Sequence, residues 1–279
     1  MANRGRGRGK VLNTVMSSQK PSKAGQSSGK QGTAKIPKDI EGLGTYFFSL
    51  NESNFKQYGS VFAEMAIGYS STKEKLEEAV DLVYDTTVSD RDSANLGAMI
   101  SEAIINYEAM GTSTSPSITV DFRKCLLAHF QTDFQQKDVL RGQSVEAWLG
   151  VFAFLCHIYK RIQINAQPIA VIGRAILSSA ENTLQNVDVV DDEIDCICTH
   201  LKLCGNLLES NHPQPFESIF TNLRRLIIKR QTSCMVRCVV LELIELRYMS
   251  WSDPKKVLDK FYVDALADAV AEDELGNTN

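Results

Sequence analysis

The chain has 279 residues, 43% hydrophobic and 23% charged, with a formal net charge of −4 at pH 7. That is the composition of a globular protein with one large domain or two small ones. No run approaches the roughly 18 to 20 uninterrupted apolar residues of a membrane span, and the basic, polar start has no apolar leader core, so a cytoplasmic location, with the nucleus as a second, is expected and no membrane. Seven scattered cysteines read as reduced, buried thiols and not as a disulfide framework.

Charge is distributed unevenly. Nine of the 30 Lys and Arg fall in residues 1–38, which hold no acid, and the other 21 face all 34 acids in residues 39–279. Residues 1–38 also lack aromatics and are rich in Gly, Ser, Gln and Lys, so they cannot bury enough apolar surface to offset the entropy of ordering and are expected to form a disordered basic arm. Arg4, Arg6 and Arg8 alternate with glycine and Lys10 follows, a pattern suited to weak phosphate contact and guanidinium stacking on single-stranded RNA. A solubilising tail or an import signal is the alternative. A phosphate loop at Gly25 to Gln31 is excluded by spacing: three residues separate Gly25 and Gly29, and Lys30 is followed by Gln31, not a hydroxyl.

Residues 39–71 contain Tyr46, Phe47, Phe48, Phe55, Tyr58 and Phe62 in poor periodicity and read as a linker or an N-terminal cap. Residues 73–88 and 93–110 form a first helical pair, and the Gly, Ser, Thr and Pro of 111–116 separate it from a helix over 118–136. In 144–163, Val145, Trp148, Leu149, Phe152, Leu155, Cys156, Tyr159 and Ile162 make a helical stripe behind Ser144 at the N-cap position. Residues 188–210 repeat the device, with Asp188, Asp191, Asp192 and Glu193 favoured by the dipole at its start and His212 and Pro213 closing it. A further stripe runs from Phe216 to Ile227. Residues 233–249 are apolar almost all round, which predicts burial on more than one side. No run alternates with period two, so no sheet is expected. Steps of 52, 45 and 41 residues between Pro116, Pro168, Pro213 and Pro254 approach the roughly 40 to 47 residues of a two-helix repeat. The fold expected is all-α: a solenoid of HEAT-like antiparallel helix pairs over 72–262, followed by an acidic tail over 263–279.

No catalytic, cofactor or metal site is expected. Of Cys196, Cys198, His200 and Cys204, only Cys196 and His200 share a helical face at i, i+4, too few for zinc. Cys156 and His157 diverge as helix neighbours. Candidate partner-binding residues are the cluster Arg224, Arg225, Lys229 and Arg230 and the last apolar helix with Glu242, Glu245, Arg247 and Trp251. The two glutamates need partners if buried, and arginines of the neighbouring helix are expected to supply them.

The run Val239-Val-Leu-Glu-Leu-Ile-Glu-Leu-Arg247 followed by Trp251 resembles the closing helix of the middle domain of eukaryotic translation initiation factor 4 gamma. The likeness extends through Ser144-Val-Glu-Ala-Trp-Leu-Gly-Val-Phe-Ala-Phe-Leu-Cys156, Asp195-Cys-Ile-Cys-Thr-His-Leu-Lys-Leu-Cys-Gly-Asn-Leu-Leu-Glu209 and Ile219-Phe-Thr-Asn-Leu-Arg-Arg225. The resemblance implies about five antiparallel helix pairs and a non-catalytic scaffold. It further implies translation initiation factors or messenger-RNA-binding proteins as partners, and it allows a homodimer. The arm departs from the poly(A)-binding-protein ligand pattern, since Leu12 and Asn13 are followed by Met16 and Gln19 where an aromatic is needed. A transport or complex-assembly adaptor without a messenger-RNA role is the alternative.

Overall fold

The structure is a computed structural model that describes residues 35–111, 121–229 and 232–276. Among them are twelve α-helices. They are α1 (Ile40–Ser49), α2 (Phe55–Tyr69), α3 (Lys73–Val88), α4 (Ala94–Ala109), α5 (Phe122–Gln135), α6 (Lys137–Gln143), α7 (Val145–Arg161), α8 (Ala170–Gln185), α9 (Asp191–Asn211), α10 (Pro213–Lys229), α11 (Cys234–Tyr248) and α12 (Val257–Gly276).

Short polar side chains start these helices where the sequence places them. Asp39, Thr72, Asp121, Ser144 and Ser233 each accept a hydrogen bond from the backbone N–H three residues on, satisfying a donor that the first turn leaves orphaned. At α9 the carboxylate of Glu193 does this in reverse, accepting from the Val190 N–H at 3.0 Å. The same carboxylate, fully buried, takes Arg141 of α6 at 2.5 and 2.8 Å. Asp191, Asp192 and Glu193 occupy the first turn of α9 as expected, while Asp188 lies just before it.

Five helix pairs stack into an α-solenoid. α2, α4, α7, α9 and α11 pack in succession as one layer, and α1, α3, α5, α8 and α10 lie over them, with α12 closing on α11. At the centre, α7 touches both layers and every side chain from Trp148 to Cys156 is buried. Gly150 is required there, because a Cβ would sit 2.0 Å from the Val88 carbonyl oxygen at the end of α3.

The structure departs from expectation at four places. The aromatics of 39–70 build α1 and α2, with Leu43, Phe47 and Phe62 in the core. A two-stranded antiparallel ladder, Gln163–Ile164 with Gln167–Pro168, joins α7 to α8 through Asn165 and Ala166 at φ 52° and 60°. Strands of two residues are too short to show alternation. The acidic segment from 263 continues α12 to Gly276. Finally, α11 is not enclosed: Met235, Leu241 and Tyr248 are exposed, Tyr248 at 90%, because α9 and α12 cover only part of its surface.

The close approach at Gly150 yields a stability test. Gly150→Ala forces α3 and α7 apart and is expected to lower unfolding stability by about 1–3 kcal/mol. An unchanged denaturation midpoint would show that the two helices do not meet there.

Candidate interaction surface

The expected partner-binding residues divide into a knitted group and a more exposed group. Arg247 is the hub of the first. Its Nε and Nη2 donate to Glu209 Oε1 at 2.9 and 2.7 Å, and Nη2 also reaches Glu217 Oε2 at 2.6 Å. The guanidinium lies 4.4 Å from the Phe220 ring centre. Trp251 Nε1 donates to the other oxygen of Glu209 at 2.7 Å, and its ring meets Phe216 and Phe220 edge-on. A Cβ at position 205 would fall 2.2 Å from that ring, so Gly205 makes room for it. These residues tie α9, α10 and the end of α11 together and are structural.

The glutamates of α11 find partners other than arginine. Glu242 is buried and pairs with Lys202 of α9 at 2.7 Å, and exposed Glu245 accepts from the Tyr262 hydroxyl of α12 at 2.8 Å. Lysine fits because its flexible stem delivers a point charge across the α9/α11 seam without a planar fork. Arg224 and Arg225 are exposed on α10, and Arg224 pairs with Glu217 at 3.2 Å. Lys229 ends α10. Arg230, Arg4, Arg6, Arg8 and Lys10 lie outside the described residues.

A groove edged by charged side chains, which periodicity had not revealed, runs along the open side of α7, α9 and α11. One hollow of about 270 Å³ is lined by Arg91, Asp92, His157, Asp195, Cys196, Thr199 and His200. A second of about 720 Å³ shares Thr199 and continues over Leu203, Leu246 and Leu258, edged by Lys160, Lys202, Glu242, Asp253, Lys256 and Asp259. Cations and carboxylates alternate, which suits a protein surface of mixed charge better than a phosphate backbone. The only signal in sequence was that these charges interrupt the apolar stripes of α7 and α9 at helical spacing.

Two histidines face each other across the α7/α9 seam, ring centres 5.7 Å apart. Burial, followed by the charge of His200, holds His157 down at about 4, and burial also lowers His200. His200 Nδ1 lies 2.7 Å from the Cys196 carbonyl and 3.5 Å from Cys196 Sγ, so the expected shared face of Cys196 and His200 is realised. Among the described residues no group of three or more His, Cys, Asp and Glu is placed to hold a metal ion. No described helix is long and apolar enough to cross a membrane.

The family described as MIF4G domain matches residues 50–249. The CBP80/20-dependent translation initiation factor of Xenopus tropicalis is 28% identical over 238 residues, covering 85% of this chain and 39% of that protein. MIF4G domain-containing protein A of Danio rerio is 26% identical over 195 residues, 69% of this chain and 88% of its own length. The Homo sapiens MIF4G domain-containing protein is 23% identical over 195 residues, 69% and 85% respectively. The chain thus spans well under half of the initiation factor and most of the two shorter relatives.

Two measurements follow from the seam and the hub. Trp251→Ala removes the ring contacts on α10 and the donor to Glu209, and is expected to destabilise the fold by about 3 kcal/mol in chemical denaturation. Full stability in the variant would place the indole outside the packing. For His157, the folded state resists protonation while the unfolded chain accepts it near 6.5. Its neutral form therefore supports folding fully above pH 6.5, and that support is lost as pH falls towards 4. The stability difference between wild type and His157→Gln should shrink over that interval by at most about 3 kcal/mol. Parallel pH profiles for the two proteins would contradict this.

Proposed function

Because the chain belongs to the MIF4G domain family, matched over residues 50–249, we propose that it is a non-enzymatic adaptor in messenger-RNA translation, working in the cytoplasm. The observation that carries this reading is the likeness to a translation initiation factor over 85% of this chain, on a helical scaffold with a long groove of mixed charge. Translation initiation factors or messenger-RNA-binding proteins are the partners proposed for that scaffold. The groove along α7, α9 and α11 is the proposed contact face, with Lys160 and Thr199 as exposed points on it. The basic residues Arg4, Arg6, Arg8 and Lys10 are proposed to add weak, salt-sensitive RNA contact, since each phosphate neutralised releases counterions. Arg224 and Arg225 form a separate basic face for an acidic partner.

The test is recovery of the tagged full chain from cells with and without ribonuclease, with its companions identified by mass spectrometry. Initiation factors that remain after ribonuclease, and are depleted by Lys160→Glu at unchanged melting temperature, are expected. Absence of initiation factors and cap-binding proteins under both conditions would refute the proposal, and recovery of transport or assembly components alone would favour an adaptor without a messenger-RNA role.

A further inference from the structure

The outer layer of the solenoid is interrupted once. α3 packs on α5, and α8 packs on α10, but α5 and α8 do not pack closely on one another. Between them lies an apolar groove of about 510 Å³. Its walls are two matching helical stripes. Leu127, Phe130, Gln131 and Phe134 of α5 and Val171, Arg174, Ala175 and Ser178 of α8 line it, each set at i, i+3, i+4 and i+7. Leu155 of α7 is its floor, at 1% exposure, while Val171 on the lip is 56% exposed. Two helical turns on each side give an open trough about 10 Å long, the form that takes the apolar face of a short helix.

Charge narrows the occupant. Arg174 is exposed on the α8 wall and makes no ion pair among the described residues. At the far end of α5, Lys137 Nζ stands 5.2 Å from the ring centre of Phe134 and pairs with no acid among the described residues. The nearest α5 carboxylate, Asp133, is taken by the Tyr84 hydroxyl at 2.7 Å. Asp138 lines a small adjoining hollow with Lys137 and Arg141. The body carries 21 cations against 34 acids over residues 39–279, yet the charged residue that lines the groove is the cation Arg174, with Lys137 just beyond Phe134, which favours a negatively charged ligand. The chain's own first 38 residues, with nine cations and no acid, carry the wrong charge to pair with Arg174.

We propose that the gap between α5 and α8 is a docking groove for a short amphipathic helix of a partner protein, which inserts apolar side chains at i, i+3 or i+4 and i+7 and sets an Asp or Glu against Arg174. This rests on the adaptor reading and supplies it with a second contact face, remote in chemistry from the mixed-charge groove of α7, α9 and α11.

The test is selection of displayed random peptides of about twelve residues, three helical turns, against the full chain. Affinities are then measured by fluorescence anisotropy on wild type, Ala175→Glu and Arg174→Glu. The selected peptides are expected to show helical apolar spacing with an acidic residue on one flank, and both substitutions should weaken them at least about tenfold. Changing the peptide's acid to lysine should restore binding to Arg174→Glu, a rescue that a folding defect would not give. If Ala175→Glu melts early, Arg174→Glu on the exposed helix face carries the comparison alone. Peptides insensitive to both substitutions, selection of basic peptides, failure to recover any groove-dependent binder, or displacement by a peptide of residues 1–38 would each overturn the proposal. Such a failure leaves the messenger-RNA reading standing, because that is decided by ribonuclease-resistant recovery of initiation factors. Loss of that recovery would in turn leave peptide binding at the groove unaffected.

Discussion

The organisation of this molecule depends on one helix that is packed all round. From Trp148 to Cys156 no side chain of α7 reaches solvent, and α3, α4, α5, α6, α8 and α9 all pack against it. A helix with no solvent face can have no charged residue along that stretch, and none occurs there. Its neighbours must approach closely enough to leave no void, which is why Gly150 stands against the Val88 carbonyl. Polar chemistry is pushed to the two ends of α7. Ser144 and Glu146 open it, and His157, Lys160 and Arg161 close it where the charge-edged groove begins. Arg161 then reaches back to Glu102 at 3.3 Å and Asn95 at 2.9 Å on α4, so the end of the central helix sets the spacing of the preceding pair.

The last helix pair solves a different problem. α12 covers only part of α11, which keeps one face open, and the order of its far end comes from polar anchoring. Glu209 uses both carboxylate oxygens, one for Arg247 and one for Trp251. That geometry draws the chain after α11 back over α9 and α10 through Ser250 and Trp251, both at positive φ. A left-handed backbone at two non-glycine residues costs roughly 1–2 kcal/mol each. The charge-assisted hydrogen bonds and the burial of the indole against Phe216 and Phe220 offset that cost.

Much of this was legible in the residues. Periodicity located α3, α4, α7, α9, α10 and α11 to within a few positions, because each buries a stripe against a neighbour and the stripe leaves a 3.6-residue signature. Capping chemistry marked Ser144, and the proline steps indicated the repeat. The misreadings share a physical cause: apolar content reports how much surface must be buried, not which neighbour buries it. Residues 233–249 are apolar on nearly every side despite Arg237, Glu242, Glu245 and Arg247, yet α7 is the enclosed helix and α11 the open one. The partners of Glu242 and Glu245 failed for the same reason. Lys202 lies 40 positions away and Tyr262 beyond the helix, and no local spacing links them. α6 is a short helix of seven residues with few apolar positions, whereas α8 carries its own stripe of Ile172, Ile176, Leu177, Ala180 and Leu184, which would have marked it.

The two grooves follow from the layer arrangement and differ in kind because the layers do. The α7, α9 and α11 layer is continuous, so its open side is a ladder of helix surfaces, and charged side chains at each seam form the mixed groove. The outer layer is broken where α6 and the short β-ladder divert the chain on either side of α7. There the apolar stripes of α5 and α8, which would have packed on each other in an unbroken stack, are left facing across Leu155. An exposed apolar trough costs free energy unless something covers it, and the cation Arg174 on its wall favours an acidic helix over a basic one as the cover. The break that makes the stack irregular is therefore also the place where the scaffold has apolar surface free to offer a partner.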